Sequence, residues 1–442
     1  MSQHYLSPLF SPRSVAVFGA SDSPDSVGGL TFRNLLEGGF QGELYAVNPR
    51  HEVVQGRRSY SDFESIGEPV DLAVIATPAA TVPDIIEACG RHAVKAAVIL
   101  SAGFGEAGAE GRALERRVLE IAQRYGLRLV GPNCLGVMRP SIGLNATFSK
   151  AGAKAGNLAL VSQSGALCTA ILDWAKPNDV GFSSVLSLGV TADVDFGEIL
   201  DYLESDPKTE SILLYIEGIR QSRRFMSALR AAARTKPVIL VKVGRHEAGS
   251  KAALSHTGAL VGADDVFDAA IRRSGAVRVS SVVQLFAAAK ALSAHFKPTG
   301  NRLAIVTNGG GPAVMASDRA GDLGLALAEL GEETRTRLDE VLPANWSHAN
   351  PVDILGDADA TRYREAVTVC LKDPGVDGVL VILTPQAMTR PLEVAQAMIE
   401  VAGQINKPLL TCWMGDTDVA SSREAFAVTR IPCFRTPEPA VE

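Results

Sequence analysis

The chain has 442 residues, of which 46 % are hydrophobic and 21 % are charged, and its formal net charge is −6. This composition is typical of a globular protein of about two to four domains. It excludes a disordered, collagen-like or disulfide-scaffold protein. The acidic balance argues against a partner nucleic acid, because such proteins neutralise the phosphate backbone with an excess of basic residues.

The six cysteines are scattered and form no CxxC pair. We therefore expect reduced, buried thiols in a cytoplasmic protein. Cys134 is interpreted as a small core residue rather than a nucleophile, because no histidine lies near it in the sequence. The first residues lack the apolar core of a signal peptide, and no apolar run reaches the roughly 18 residues of a membrane span. We expect no membrane partner.

Short runs rich in Val, Ile and Ala recur, each followed by a Gly, Pro or Ser turn and then a helical pattern. Such alternation predicts βαβ units with parallel sheets. The rhythm restarts near residues 150 and 300. We predict an α/β protein of three doubly wound parallel-sheet domains, at 1–148, 150–297 and 300–442. The predicted strands lie in the runs 14–19, 43–47, 71–78, 96–104, 128–133, 157–165, 181–189, 211–218, 236–244, 303–311, 377–385 and 407–413.

The loop after the first predicted strand, 18–29, contains Gly19, Gly28 and Gly29 and leads into a helix. Glycines allow main-chain amides to approach a phosphate, and a helix N-terminus favours an anion. The loop departs from the dinucleotide fingerprint GxGxxG, because Ser21 stands where its second glycine belongs. A tight turn without a ligand is the other interpretation.

The second predicted strand ends in Asn48-Pro49-Arg50, where an NAD site has an acidic residue for the ribose hydroxyl. Arg50 suits a phosphorylated ribose instead, as in coenzyme A or NADP. An NADP-dependent oxidoreductase is a weak alternative, because the glycine spacing and an acid/base for hydride transfer are missing. Three further loops are predicted at the same edge of the sheet: Thr77-Pro78, Ser101-Ala102-Gly103 and the loop at Asn133.

Two further strand-to-helix turns have the composition of anion sites. The first is Ser162-Gln163-Ser164-Gly165, and the second is Asn308-Gly309-Gly310-Gly311. Amides of a first helical turn have no partner within the helix and point outward, which favours a phosphoryl group. The first turn has neither the lysine of a P-loop nor the GxSxG of a hydrolase elbow. An ordinary helix cap is the alternative.

His256 lies in a long glycine-containing loop, 246–265, that follows a predicted strand. Loops of this length in compact α/β domains are usually functional. Neutral imidazole is a competent nucleophile near pH 7. Glu217 ends a strand of the same predicted sheet and could accept a hydrogen bond from one ring nitrogen, leaving the other free to attack. A surface histidine and a solvated strand end are the alternatives.

These motifs together resemble the ADP-forming acyl-CoA synthetases (acetate–CoA ligase, ADP-forming), which are related to succinyl-CoA synthetase. The stretches GASDSPDSVGG, VNPR, SAGFGEAG, GPNCLG, SQSGAL, SHTGALVG and NGGGPAV occur in the order of that family. The resemblance implies a Rossmann-like coenzyme A-binding domain followed by two flavodoxin-like ligase domains. It implies a coenzyme A site at Gly19, Ala20, Ser21, Gly28, Gly29, Asn48, Pro49, Arg50, Thr77, Pro78, Ser101, Ala102, Gly103 and Asn133.

The resemblance also implies the reaction acyl-CoA + ADP + phosphate ⇌ carboxylate + ATP + CoA, with a small carboxylic acid as substrate. His256 would carry the phosphoryl group and Glu217 would steady it. The helices that start at Ser164 and Gly310 would hold the phosphoryl group. The phosphate-binding residues so implied are Ser162, Ser164, Gly165, Asn308, Gly309, Gly310 and Gly311.

The ATP-grasp domain that holds the nucleotide in this family has no counterpart in the sequence, and we predict no metal site in this chain. ADP, ATP and Mg²⁺ are therefore expected only with a partner β-type subunit or a fused C-terminal region that supplies the ATP-grasp part. A homo-oligomer is compatible with the resemblance. The similarity extends to the synthetase-like part of bacterial lysine acetyltransferase fusions. A CoA- or acyl-CoA-sensing regulatory module of such a protein is therefore the alternative function.

Overall fold

The computed structural model describes residues 4–246, 248–249, 263–294 and 300–442, and the structural statements below refer to these residues. Met1–Leu285 form one compact unit and Phe286–Glu442 form another. In the described part of the chain the main strands form three sheets in which parallel pairing dominates, as the alternating sequence pattern predicts. No helix in these ranges is long and apolar enough to cross a membrane.

The first sheet has the strand order β3-β4-β2-β1-β5-β6-β7. Strands β4, β2, β1, β5, β6 and β7 pair in parallel with their neighbours in this order. Of the strands in this sheet, β3 alone is antiparallel, to β4. The strands are β1 (Ser14–Phe18), β2 (Glu43–Val47), β3 (Val53–Val54), β4 (Arg57–Tyr60), β5 (Leu72–Ile75), β6 (Ala96–Ile99) and β7 (Arg128–Val130). The helices are α1 (Ser7–Phe10), α2 (Val27–Glu37), α3 (Val82–Arg91) and α4 (Ala109–Tyr125).

The second sheet has the order β14-β13-β12-β10-β11-β8-β9. The hairpin of β8 and β9 pairs antiparallel to the edge of β11, although it precedes residue 150 in the chain. The strands are β8 (Gly136–Arg139), β9 (Leu144–Thr147), β10 (Ala155–Ser162), β11 (Phe182–Ser187), β12 (Ser211–Ile216), β13 (Val238–Lys242) and β14 (Val277–Val279). The helices are α5 (Gly165–Ala175), α6 (Phe196–Ser205), α7 (Ser222–Thr235), α8 (Asp264–Ser274) and α9 (Val282–Ser293).

The third sheet has the order β16-β15-β18-β19-β20, and β17 also pairs with β15. Its strands are β15 (Arg302–Thr307), β16 (Ala326–Leu327), β17 (Val352–Asp353), β18 (Gly378–Leu383), β19 (Leu409–Trp413) and β20 (Cys433–Phe434). Its helices are α10 (Gly310–Asp322), α11 (Glu332–Val341), α12 (Ala360–Lys372), α13 (Pro391–Ala402), α14 (Ala420–Val428) and α15 (Pro437–Val441).

The first two sheets share a hydrophobic core within the first unit. One cluster of buried side chains includes Val15 and Val74 from the first sheet and Val161 and Leu214 from the second. Every residue of the central strand β1 is buried, as expected for a parallel strand covered by helices on both faces. All six cysteines are buried and none forms a disulfide, in agreement with their prediction as buried thiols.

Polar contacts also join the two sheets. Arg128 of β7 donates from Nε to Asp193 Oδ2 at 2.9 Å and from Nη2 to Glu198 Oε1 at 2.6 Å, and Glu198 belongs to α6. Asn34 of α2 donates from Nδ2 to the carbonyl oxygens of Thr147 and Ser149, both at 2.8 Å. The two sheets are therefore joined by charged and main-chain contacts as well as by the core.

A buried ion pair fastens the β8–β9 hairpin to the rest of the second sheet. Arg139 donates from Nη1 and Nη2 to the two carboxylate oxygens of Asp206, both at 2.7 Å. Arg139 also donates to Ser184 Oγ, and Thr209 donates to Asp206. Burial acts to raise the pKa of Asp206, but the hydrogen bonds from Arg139 and Thr209 outweigh it and the pKa is lowered.

We expect Asp206→Asn to lower the free energy of unfolding by about 3–5 kcal/mol at pH 7, because a guanidinium stays buried without its counter-charge. The pKa of Asp206 is lower in the folded than in the unfolded chain. The stabilisation is therefore full above the usual carboxyl pKa and disappears as the pH falls through the lowered value. Denaturant unfolding from pH 7 down to about pH 3 should show the free energies of unfolding of the wild type and Asp206→Asn approaching each other as the pH falls.

The matched control is Asp179→Asn, because Asp179 pairs with Lys154 at 2.5 Å with the lysine more than half exposed. This variant is expected to lose less than about 1 kcal/mol. Equal losses in the two variants would contradict the expected contribution of the buried pair.

Candidate active site

The predicted ligand-binding loops of the first sheet are gathered at one edge. Strands β1, β2, β5, β6 and β7 are parallel, so their carboxyl ends meet there, and each of the predicted loops follows one of these strands. This edge is where ligands bind in open parallel sheets. The structure therefore brings the predicted coenzyme-binding residues to one side of the sheet.

The turn from β1 to α2 is packed against its own helix. Gly19 has a φ of +86°, a conformation that favours glycine. A Cβ on Gly28 would lie 1.9 Å from the carbonyl oxygen of Gly19, so only glycine allows this approach. Ser26 caps the helix by accepting from the amide of Gly29 at 3.0 Å. This close turn with a helix N-terminus fits an anionic group such as a pyrophosphate.

The loop after β2 is fastened to this turn. Asn48 donates from Nδ2 to the carbonyl oxygen of Ala20 at 2.7 Å and accepts from the amide of Arg50 at 3.0 Å. The side chain of Asn48 therefore shapes the loop, while Pro49 and Arg50 are exposed beside it.

Gln55 is a residue of this site that the sequence analysis missed. It lies in the turn between β3 and β4 and donates from Nε2 to the carbonyl oxygens of Ser21 and Gly29, at 2.9 and 2.8 Å. Gln55 and Gly56 both have positive φ, as in a type I′ hairpin turn. The Gln55-Gly56 pair between two short strand-like stretches was the sequence signal that could have indicated this hairpin turn.

The next loops are connected to one another. Ser101 donates from Oγ to the carbonyl oxygen of Thr77 at 2.5 Å, and its own carbonyl accepts from the amide of Asn133 at 2.9 Å. Gly103, with a φ of +103°, donates its amide to Glu106 Oε1 at 2.7 Å. Pro78, Ala102 and Asn133 are exposed on the same edge.

The turn from β10 to α5 is built by its hydroxyls. Ser162 Oγ accepts from the amide of Ser164 at 3.0 Å and donates to its carbonyl at 2.9 Å. Ser164 caps the helix by accepting from the amide of Leu167 at 3.3 Å. The amides of Gly165 and Ala166 belong to the first helical turn, to which the helix itself gives no partner. They are the donors that this turn offers to an anion.

A cavity of about 350 Å³ lies between this turn and the loop after β7. One predicted coenzyme-binding residue, Asn133, and two predicted phosphate-binding residues, Ser164 and Gly165, all line this cavity within the first compact unit. Its walls are formed by Asn133, Cys134, Leu135, Phe148, Gln163, Ser164, Gly165, Ala166, Thr169, Gly189 and Val190.

Glu217 is buried directly after β12 and is joined to the cavity wall. Its amide donates to Gln163 Oε1 at 2.6 Å. On its other side Lys242 donates from Nζ to the carbonyl oxygen of Glu217 at 3.2 Å. Burial lowers the pKa of Lys242, against the opposing effects of Asp264 and Glu217. Sequence reasoning assigned no role to Gln163 or Lys242, although each is a polar residue at the end of an apolar strand.

The turn from β15 to α10 in the second unit repeats the hydroxyl arrangement. Thr307 Oγ1 accepts from the amide of Gly309 at 3.1 Å and donates to its carbonyl at 3.0 Å. Asn308 is buried behind the turn, and a Cβ on Gly311 would have open space around it. The start of α10 at Gly310 therefore presents first-turn amides as α5 does.

Two other candidates have different outcomes. Burial raises the pKa of the Cys134 thiol to about 12, so this group stays protonated near neutral pH, in agreement with its interpretation as a core residue. His256 lies outside the described residues, and its role stays a prediction.

Three family models match the chain. They are the CoA binding domain over residues 13–140, the succinyl-CoA ligase like flavodoxin domain over 155–292 and the ligase-CoA domain over 303–440. The fold and these matches show that the chain is built from a CoA-binding domain and succinyl-CoA ligase-like domains.

Relatives that align with almost the whole chain identify its family more narrowly. Acetate–CoA ligase (ADP-forming) I of Archaeoglobus fulgidus is 45 % identical over 433 residues, which cover 98 % of this chain and 62 % of that protein. The alpha subunit of acetate–CoA ligase (ADP-forming) I of Pyrococcus furiosus is 39 % identical, with 99 % of this chain and 96 % of the subunit covered. The chain belongs to the ADP-forming acetate–CoA ligase family.

A solved structure agrees with this placement. The dinucleotide forming acetyl-coenzyme A synthetase 1 of Ca. Korarchaeum cryptofilum, in complex with phosphate and ADP, superposes with a TM-score of 0.94 at 36 % identity. The similarity covers 99 % of this chain and 94 % of that one. The predicted three-sheet α/β fold is confirmed.

We expect Gly28→Ala to weaken coenzyme A binding at least about tenfold, because the added Cβ would collide with the Gly19 carbonyl and displace the turn from the helix. Isothermal calorimetry with coenzyme A measures the effect. Gly152→Ala is the control, because a Cβ at Gly152 has no atom within 4 Å. Equal affinity in a folded Gly28→Ala protein would contradict the assignment of this turn to the coenzyme.

Proposed function

We propose that this chain is the coenzyme A-binding, phosphohistidine-carrying part of an ADP-forming acyl-CoA synthetase. Its reaction is acyl-CoA + ADP + phosphate ⇌ carboxylate + ATP + CoA, with acetate or another small carboxylic acid. The edge of the first sheet holds coenzyme A, with the Gly19–Gly29 turn at its phosphates and Arg50 at the phosphorylated ribose. The proposed domains are 1–148, 150–297 and 300–442, although the β8–β9 hairpin of the first range pairs with the sheet of the second.

The observation that carries this proposal is the placement of Asn133, Ser164 and Gly165 around one cavity. A thioester delivered along the edge of the first sheet reaches this cavity past Asn133. An anion in the cavity meets the amides at the start of α5, where the helix contributes roughly half a positive charge. Glu217 is connected to the same wall through Gln163.

The reaction consists of three successive displacements, each with its own nucleophile and leaving group. A phosphate oxygen attacks the thioester carbon, and the thiolate of coenzyme A leaves, which gives an acyl phosphate. A ring nitrogen of His256 attacks the phosphorus, and the carboxylate leaves. An oxygen of ADP then takes the phosphoryl group from the imidazole. Positioned amide dipoles stabilise the charge that develops on the transferred group.

Each residue has a defined part in these steps. The carboxylate of Glu217 accepts from one ring nitrogen of His256, which leaves the other nitrogen unprotonated for attack. The amide of Gly165 donates to phosphoryl oxygens in the first unit, and the amides of Gly310 and Gly311 offer donors of the same kind in the second unit. Ser162 and Ser164 shape the first turn, and Asn308 and Gly309 shape the second.

The nucleotide step needs an ATP-grasp part, as a β-type subunit or a fused region, and Mg²⁺ belongs with ADP there. Two features of the relatives support a separate ATP-grasp part. One covers almost the same length and is named as an alpha subunit, while the other is a longer chain that this one matches over 62 % of its length.

The test is incubation with acetyl-CoA and radiolabelled phosphate, with the chain alone and with its ATP-grasp part. We expect label on the protein that is stable in base and labile in acid, as phosphohistidine is. His256→Ala should abolish the label, because the nucleophilic nitrogen is removed. His92→Ala is the control, because His92 is an exposed histidine in the turn after α3.

Label that persists in His256→Ala would contradict the proposed carrier. Coenzyme A binding without any label, in the presence of the ATP-grasp part, would contradict the synthetase reaction and favour a CoA-sensing module. Binding of NADPH in place of coenzyme A would favour an oxidoreductase.

A further inference from the structure

The main chain at Glu217 is held by side chains rather than by a strand partner. Strand β12 ends at Ile216, and the next two residues direct all four of their main-chain polar groups to two neighbouring side chains. Gln163 Oε1 accepts from the amides of Glu217 and Gly218 at 2.6 and 3.0 Å. Gln163 Nε2 donates to the carbonyl of Gly218 at 2.9 Å, and Lys242 Nζ donates to that of Glu217 at 3.2 Å.

Both side chains are themselves firmly placed. Gln163 is only 5 % exposed, directly follows β10 and also contacts Thr191 Oγ1 at 3.4 Å. Lys242 is likewise 5 % exposed, ends β13 and also donates to the carbonyl of Val243 at 2.5 Å. Strands β10 and β13 flank β12. The main chain of Glu217 is therefore held from both neighbouring strands directly after the end of β12.

The second unit contains a construction of the same kind. Asn308 directly follows β15 and accepts, at its Oδ1, from the amide of Thr384 at 2.8 Å. Its Nδ2 donates to the carbonyl of Thr384 at 2.9 Å. The register is equivalent, because Ser162 pairs with Tyr215 and Thr307 with Ile382, each two residues before the held residue. Among the described residues, the first unit has a glutamate and a second, charged donor at this position, whereas the second unit has Thr384 there.

We propose that Gln163 and Lys242 are positioning residues: they fix the main chain of Glu217 and thereby the position from which its carboxylate acts. This inference rests on the proposed function, in which Glu217 orients the phosphoryl-carrying histidine. A hydrogen bond that aligns a nucleophile is sensitive to displacement, since a shift of about 1 Å can lower a rate roughly 100-fold. Neither residue contacts the reacting atoms in this proposal; each acts through Glu217.

The experiment is a double-mutant cycle on the rate of phosphohistidine labelling from acetyl-CoA and radiolabelled phosphate. Gln163→Met keeps the length of the side chain but removes its hydrogen bonds, and Lys242→Met does the same for the lysine. Each is expected to lower the labelling rate about 10- to 100-fold when Glu217 is present. In a Glu217→Gln background each should lower it less than about twofold, because the aligned carboxylate is already gone.

Two further measurements separate positioning from general damage. The affinity for coenzyme A should change less than about twofold, because that site lies on the first sheet. Gln163→Glu keeps an acceptor for the two amides and should restore part of the rate lost in Gln163→Met. If Gln163→Met fails to fold, Gln163→Glu and Lys242→Met carry the comparison.

Asn350→Leu is the matched control. Asn350 is also a carboxamide with three main-chain hydrogen bonds, to Leu303, Ile305 and Ala328 at 2.8–2.9 Å. Its loss should lower stability without lowering the labelling rate of the folded fraction. Equal factors for Gln163→Met with and without Glu217, or a loss no larger than that of Asn350→Leu, would overturn the inference. Unlabelled wild-type protein, or full rate in Glu217→Gln, would instead overturn the proposed function.

Discussion

Parallel strands that end together expose main-chain groups at the very edge where a ligand is to bind, and these groups need partners. At β12 the partners are the carboxamide of Gln163 and the ammonium of Lys242, which continue the hydrogen bonding of the sheet beyond Ile216. A residue can then leave the ladder while its backbone stays rigid. Gln163 also lines the cavity, so the cavity wall and the main chain of Glu217 share this one arrangement.

The same physical problem is solved with hydroxyls at the helix starts. A helix cannot satisfy its own first amides, and an anion site needs those amides to face the ligand. Ser162 and Thr307 therefore bind the main chain two residues ahead and turn it, while the amides beyond are left for the ligand. The glycines that follow keep Cβ atoms away from that approach. The same hydroxyl turn occurs in each of the two units.

Several residues proposed for binding prove to have a structural task as well. Asn48 joins the loop after β2 to the turn after β1, and Ser101 joins the loops after β5, β6 and β7. A ligand at this edge would thus meet a connected set of loops rather than separate ones. Rigid loops lose less conformational entropy on binding, which favours affinity. Arg50, exposed at the end of one of these loops, is placed to contact a charged group.

Local pattern was sufficient to predict the α/β sheets, the glycine turn at Gly19 and the serine turn at Ser164, because strand length, turn chemistry and helix caps depend on residues close together in the chain. It was insufficient for Gln55, Gln163 and Lys242, whose partners lie 25 to 55 residues away in the sequence. It also did not indicate that the β8–β9 hairpin would join the second sheet, since strand pairing is a long-range contact. A polar side chain at the end of an apolar run looks the same in one dimension whether it faces water or holds a neighbouring strand. Only folding, which brings β10, β12 and β13 side by side, distinguishes the two.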